Sequence, residues 1–276
     1  MSDLLKLRDL VYEETGMYFP DEKQYYFESR FTRRMGELGV KSFIDYFRFL
    51  KNDAGRREEM NKLISELTIN ETSFFRNMPQ FTALQNLVIP ELMKARENSV
   101  LKRLKIWSAG CSSGEEVYTI AMILDHLSQG PLKGWNLEIT GTDIDSRVLE
   151  KAQKGVYREY AVKNMPQEYK DRYLEKTGEG YKINDTLRKY ARFKSLNLND
   201  DMAMVFMKGY DVIFCRNVLI YFDQESKKRV IQKFFNSLVL GGYLFIGFSE
   251  SLFQISDRFK LIHFPGGMVY QKVAHI

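Results

Sequence analysis

Cysteine is nearly missing from this chain, with two residues in 276, Cys111 and Cys215, and no CxxC pair. That excludes a disulfide framework and makes a structural zinc site improbable on chemical grounds. Histidine is almost as scarce: His126, His263 and His275 stand apart from each other and from every motif described below, so no metal site is expected. No apolar run approaches the roughly 18 residues that cross a bilayer. The N-terminus MSDLLKLRDL carries acids where a secretory leader would be continuously apolar. A soluble, cytoplasmic protein without membrane insertion is expected. Neither sign of charge dominates: 41 Lys and Arg against 36 Asp and Glu leave +5. That excess suits an acidic partner and falls short of the clustered basic character of a nucleic-acid binder. A full GxGxxG fingerprint is also absent, which counts against a dinucleotide site.

What the chain does have is 44% apolar and 14% aromatic residues, enough for buried cores in about two domains. Residues 1–69 read as helical: Leu4, Leu7, Leu10 and Val11 share one helix face, TGMYFPDE breaks the period, and DEKQYYFESRFTRRMGEL, SFIDYFRFLKN and REEMNKLISELT continue it. From 70 to 276 the pattern becomes alternating. A helix over about 79–96 precedes strands KIWSA, LEITGTDI, KYARFKSLNL, DVIFC, GYLFIGF and a closing FKLIHF/GMVYQKV pair, with helices at 115–128, 146–154 and 224–239 between them. The expected fold class is α/β, a doubly wound sheet with a closing antiparallel hairpin. Residues of about 157–190, polar and tyrosine-rich, read as a small inserted β-subdomain.

The most informative segment is LKIWSAGCSSGEEVYTIAMIL, 104–124. A strand, a turn at Ala109, Gly110 and Gly114, and an amphipathic helix open an α/β nucleotide site beyond the strand's carboxyl end. Glu115 and Glu116 occupy the first helical turn, a field that otherwise attracts phosphate. Two carboxylates there would repel a pyrophosphate and suit a cationic nucleoside such as S-adenosylmethionine. An acidic first turn that merely complements the helix dipole is the plainer alternative. Asp143, at the end of the second strand, suits ribose hydroxyls, whereas Asp145 is placed to cap the helix from Ser146. Arg216 and Asn217 end the apolar strand DVIFC and point into the crevice, and Cys215 reads as a buried thiol.

Taken together, NETSFFR (70–76), SAGCSSGEE (108–116), GTDID (141–145), NL (197–198), CRNVLIYF (215–222) and GGYLFIGFSES (241–251) resemble the CheR-type chemotaxis receptor methyltransferases along nearly the whole chain. The resemblance implies a class I methyltransferase domain that binds S-adenosylmethionine. It implies Asn70, Thr72 and Arg76 in a segment over the cofactor, Gly110 with Glu115 or Glu116 from the glycine loop, and Asp143 at the ribose. Asn197 and Leu198 fall at the adenine, with Asn217 and Val218 completing the site and Arg76 and Tyr221 facing the methyl-transfer centre. From its apolar run VLIYF alone, Tyr221 would read as core. The implied reaction forms methyl esters on the γ-carboxylates of glutamates in the cytoplasmic helices of chemoreceptors. A glutamate is already ionised at neutral pH, its ordinary pKa being about 4.3, so no histidine base is needed.

Arg30, Arg33 and Arg34 recur at helical spacing, with Lys23 and Lys41 at the ends, and would offer a basic stripe to an acidic receptor helix. A solvated face balanced by Glu22, Glu28 and Glu37 is the alternative. One departure concerns relatives that tether to a C-terminal receptor pentapeptide. Their insert carries a longer glycine-containing loop than TGEGYKI (177–183), so a pentapeptide-independent version is expected. Two further rivals are a nucleic-acid methyltransferase and a non-catalytic module that binds S-adenosylmethionine or a receptor. The first would show NPPY or a Pro-Cys nucleophile in place of CRNVLIYF; the second would be free to lose Arg76, Tyr221 and Asn217.

Overall fold

The computed structural model describes residues 2–274; His275 lies outside them. The chain opens with four helices: α1 (Asp3–Thr15), α2 (Gln24–Leu38), α3 (Phe43–Asn52) and α4 (Arg56–Leu67). Ser2 caps α1, accepting from the Leu5 amide, and Gly16 ends it at φ 74°, a left-handed value that glycine reaches without a Cβ penalty. Leu7, Phe27, Phe31, Tyr46 and Leu63 meet in the centre of the bundle.

A long helix follows in three pieces, α5 (Met78–Ala83), a π-helical turn at Leu84–Val88, and α6 (Ile89–Ala95). The sequence pattern predicts one helix here. Pro90 cannot donate to the carbonyl four residues back, and the widened turn that precedes it accommodates that loss.

The remainder is β1 (Arg103–Ala109), α7 (Glu115–Ser128), β2 (Asn136–Asp143), α8 (Ser146–Lys154), β3 (Val156–Tyr157), α9 (Glu159–Val162), α10 (Gln167–Tyr173), β4 (Leu174–Thr177), β5 (Gly180–Ile183), α11 (Asp185–Arg188), β6 (Ala191–Ser195), α12 (Asp201–Val205), β7 (Tyr210–Cys215), α13 (Gln224–Ser237), β8 (Leu238–Ile246), β9 (Phe259–Phe264) and β10 (Gly267–Lys272). The main sheet runs β6-β2-β1-β7-β8-β10-β9, parallel except where β10 pairs antiparallel with β8 and β9. The insert forms its own sheet, β3-β5-β4.

Strand side chains alternate between two cores, as the two-residue period of a strand requires. Leu104, Ile106, Val212, Phe214 and Phe245 face the 78–95 helix and α7, whereas Trp107, Ala109, Ile213, Leu244 and Ile246 face α13 with its Val230, Ile231 and Phe234. Both faces are therefore covered, as a doubly wound sheet demands. The sheet differs from expectation at its edge: β6 stops at Ser195, which leaves Asn197 and Leu198 on a loop rather than a strand.

The two units meet along a seam. Met17 forms an antiparallel bridge with Phe222, the Tyr18 amide donates to the Tyr221 carbonyl (2.8 Å), and Tyr12 donates to Asp223 (3.0 Å).

Candidate functional site

The strand order reverses between β1 and β7, so the loops leaving their carboxyl ends diverge and open a crevice. A cavity of about 290 Å³ lies there, near the lower bound of roughly 300 Å³ for ligand pockets. The loop after β1 folds tightly back on β2: the Gly110 and Cys111 amides both donate to the Thr142 carbonyl, at 2.7 and 2.9 Å. Gly110 sits at φ 76°, and a Cβ on it would come within 2.3 Å of Val218 Cγ2. Only glycine permits that approach of the β1 and β7 loops.

Asp143 is buried, and burial raises its pKa, opposed by two backbone amides that donate to it: Ser112 to Oδ2 (2.8 Å) and Asp145 to Oδ1 (3.0 Å). Each carboxylate oxygen accepts more than one hydrogen bond, so the group remains able to take hydroxyls from the cavity. Asp145 caps α8 as expected, accepting from the Arg147 amide, and also receives Asn70 Nδ2 at 3.0 Å.

Glu116 lines the cavity. Ser108 donates to its Oε1 (2.7 Å) and the Arg216 guanidinium to its Oε2 (2.9 Å). Arg216 is itself buried, packs over the Phe81 ring and donates to the Arg76 carbonyl, while its buried Nε has no hydrogen-bond partner among the described residues. Glu115 corrects the sequence reading. It does not line the cavity; Ser113 donates to both its oxygens, at 2.8 and 3.0 Å, and burial pushes its pKa up to about 6. The two glutamates thus face different surroundings, one paired with arginine and the other shut in behind the loop. The expected repulsive carboxylate doublet does not form.

The segment Asn70–Arg76 straps the cavity. Phe74 and Phe75 turn inward, their rings against Tyr157 and Tyr169 at 4.8 and 4.9 Å, and their amides donate to Ala161 O and Thr119 Oγ1. That anchoring leaves Asn70, Thr72 and Arg76 on the cavity side, with Arg76 Nη1 donating to the Glu71 carbonyl at 2.8 Å. Phe75, Asn77, Ser112 and Asn217 all hold positive φ. Such conformations are costly for residues other than glycine and concentrate at functional sites.

Asn197, Leu198, Asn217, Val218 and Tyr221 complete the lining. Asn197 Nδ2 donates to the Glu14 carbonyl at 2.6 Å, which ties the loop after β6 to α1. Tyr221 donates to Ile69 O (3.0 Å) and accepts from Ile69 N (3.3 Å). Its ring packs against the helical core while the residue also lines the cavity.

Three contributors escaped the sequence reading. Thr15 and Met17, from the TGMYFP break, reach the cavity from the helical unit. Glu250 is buried after β8 and accepts from the Gly247 amide (2.5 Å) and the Asn217 amide (3.3 Å), so it braces the loop that carries Asn217 and Val218. In the sequence it falls within GGYLFIGFSES, where no role attached to it; a Cβ at Gly247 would meet Glu250 Oε2 at 2.5 Å.

The basic stripe is not assembled as expected. Arg34 is buried in a bidentate pair with Glu59, whose Oε1 also accepts from Tyr46 at 2.6 Å. Arg33 pairs with Glu66 (3.1 Å) and Glu37, and Arg30 lies over the Tyr26 ring. Arg34 faces the core because a neighbouring helix supplies a buried acid, so the three arginines do not form one solvent-facing stripe.

The residues fit a nucleoside that carries an amino-acid head. Glu116 offers oxygens to an ammonium, the orphaned Arg216 Nε offers a donor to a carboxylate, Asp143 offers acceptors to hydroxyls, and Ile144, Leu196 and Leu198 supply an apolar wall. Among the described residues no group of three or more His, Cys, Asp or Glu is placed to hold a metal, and no helix is long and apolar enough to cross a membrane.

Comparison with known proteins agrees with that geometry. The family model for the CheR methyltransferase SAM-binding domain matches residues 70–268, and that for the CheR methyltransferase all-alpha domain matches 2–68. Chemotaxis protein methyltransferase 2 of Vibrio cholerae is 36% identical over 273 residues, covering 98% of this chain and 93% of that protein. The chemotaxis protein methyltransferase of Borreliella burgdorferi is 37% identical, covering 91% and 88%. Chemotaxis protein methyltransferase 1 of Pseudomonas aeruginosa is 33% identical, covering 98% and 97%.

Proposed function

This protein belongs to the CheR methyltransferase family, and we propose on that footing that it esterifies glutamate γ-carboxylates on the cytoplasmic helices of chemoreceptors. The observation that carries the reading is one cavity in which the Glu116–Arg216 pair, Asp143, Arg76 and Tyr221 converge. S-adenosylmethionine supplies an electrophilic methyl group on a sulfonium. Glu116 and Arg216 hold the amino-acid end, Asp143 the ribose, and Asn197 and Leu198 the adenine side. Gly110, Asn217 and Val218 shape the wall, with Asn70 and Thr72 closing the strap above it. Glu115 is left out of this assignment.

The chain has little chemistry to supply beyond placement. The attacking carboxylate is already an anion, so the protein's task is in-line alignment in a site drained of water. Arg76 orients the carboxylate. A tight bidentate grip would stabilise the ground state and slow attack; its Nη1 is already committed to Glu71 O, which leaves a partial contact to share with Tyr221. We place the boundary between helical and catalytic units at 69/70 and the protein in the cytoplasm, with no nucleic acid among its partners.

The inserted hairpin turns through Gly178 and Glu179 alone, since Thr177 pairs with Gly180. The proposed enzyme therefore acts without a receptor pentapeptide tether, and micromolar calorimetric binding of such a peptide would contradict this. The main test is transfer of labelled methyl from S-adenosylmethionine to receptor-containing membranes. Base-labile label, released as methanol and lost in Arg76→Ala, is expected. Base-stable label, or label on added RNA, would overturn the assignment.

A further inference from the structure

The strap Asn70–Arg76 lies between α4 and α5 and has no helix or strand of its own to fix it over the cavity. Its mount is the insert. The Phe74 amide donates to Ala161 O at 3.0 Å, the Phe74 ring meets Tyr157 edge-on at 4.8 Å, and the Phe75 ring meets Tyr169 at 4.9 Å. Ala161, Tyr157 and Tyr169 belong to α9, β3 and α10, all within the inserted segment. A further tie runs from the Phe75 amide to Thr119 Oγ1 on α7, at 3.2 Å. Edge-to-face ring pairs carry a preferred geometry as well as buried area, so they fix direction as well as depth.

Tyr157 makes a second attachment. Its hydroxyl donates to the Ser113 carbonyl at 2.8 Å, in the glycine loop next to Ser112, which lines the cavity and donates its amide to Asp143. One buried side chain therefore touches both the strap, through its ring, and the loop, through its hydroxyl. Its own backbone has no room to give way. β3 pairs with β5, and Gly180 passes so near the Tyr157 carbonyl that a Cβ there would sit 2.3 Å from its oxygen. We infer that Tyr157 is a positioning residue of the methyl-transfer site, setting the separation of the strap from the glycine loop, with the insert as the mount. The inference rests on the cofactor placement proposed above. The two attachments have different consequences. Loosening the loop disturbs Ser112 and Asp143 and so acts on cofactor affinity. Loosening the strap disturbs Arg76, the residue after Phe75, and so acts on turnover.

The test uses the full chain, calorimetry with S-adenosylmethionine, and initial rates of methyl transfer to a soluble chemoreceptor cytoplasmic fragment. Tyr157→Phe keeps the ring against Phe74 and removes only the bond to Ser113. It is expected to weaken S-adenosylmethionine binding about fivefold, the worth of one hydrogen bond, with kcat at saturating cofactor unchanged. Tyr169→Ala withdraws the half-buried ring beneath Phe75 and should lower kcat about tenfold through a displaced Arg76. Tyr173→Phe is the matched control. It removes an equally buried hydroxyl of the same insert, whose acceptor, Asp125 Oδ2 at 3.0 Å, lies near the carboxyl end of α7, away from strap and loop. That variant should lower the denaturation midpoint at least as much as Tyr157→Phe and leave cofactor affinity and kcat as they were. Affinity unchanged in Tyr157→Phe, lowered equally in Tyr173→Phe, or a kcat untouched by Tyr169→Ala would overturn the inference and leave Tyr157 a core residue. Intact affinity in Glu116→Gln as well as in Tyr157→Phe would overturn the cofactor placement along with it, whereas intact affinity in Tyr157→Phe alone leaves that placement standing.

Discussion

Glu115 and Glu116 are neighbours with opposite duties, and each can be tested by removing one charge. For Glu115, the rise from the ordinary 4.5 to about 6 corresponds to about 2 kcal/mol of stability. The folded state binds this proton more tightly than the unfolded chain does. The associated stability is therefore complete below 4.5 and is lost as pH rises through 6. Glu115→Gln should consequently unfold at higher denaturant than the parent at pH 8, with the gap closing by pH 4, and should keep its cofactor affinity. Glu116→Gln should instead weaken S-adenosylmethionine binding about tenfold or more in calorimetry, since a charged partner of buried Arg216 is lost. Gly110→Ala adds a left-handed Ala, at about 1 kcal/mol, to an overlap with Val218, at about 1–3 kcal/mol. Adding Val218→Ala should recover the overlap part of the lost denaturation midpoint and leave the conformational part. From the sequence, the turn at Gly110 and the site face of Asp143 could be read because strand ends and glycine turns have local causes. The directions of Glu115 and Arg34 could not, because each is decided by a partner remote in sequence: the enclosure of Glu115 behind Tyr157, and Glu59 for Arg34.

At the scale of elements, α7 and α8 keep the bounds their periodicity predicts, 115–128 and 146–154, since caps and amphipathic spacing are written within each segment. Loops are less legible. The stretch after β8 carries no assigned role in the sequence, yet its Glu250 carboxylate, its pKa raised by burial, accepts from the Gly247 and Asn217 amides and so fixes the loop of Asn217 and Val218. Glu250→Ala would leave those two amides without this acceptor, which costs about 1–3 kcal/mol for each that stays buried and unpaired. The conservative Glu250→Gln keeps the shape. The alanine variant is expected to unfold earlier and to lose cofactor affinity. The glutamine variant should fold normally and show a raised KM for S-adenosylmethionine, and an unchanged KM there would reduce Glu250 to a structural residue.

At the scale of the whole molecule, the helical unit is a wall of the cavity as well as a neighbour of it. Met17 lines the cavity and is buried at the seam. Met17→Ala, outside the motifs that carry the family resemblance in sequence but bridged to Phe222 of CRNVLIYF, should cost about 2–5 kcal/mol of stability and weaken S-adenosylmethionine binding. Calorimetry that found the affinity intact would confine the helical unit to docking. That contribution could not be foreseen from sequence because it pairs the TGMYFP break with CRNVLIYF across almost the full chain.

The same Met17–Phe222 bridge sets an order of events during synthesis. Its partners lie ~200 residues apart, a long loop to close before any contact rewards it. The four N-terminal helices can assemble as soon as they are made, but the cavity has no complete wall until Phe222 and β8 behind it have emerged. S-adenosylmethionine therefore cannot guide the early folding of this chain. It stabilises only the finished protein, and a ribosome-bound chain that stops before residue 222 should be unable to retain it.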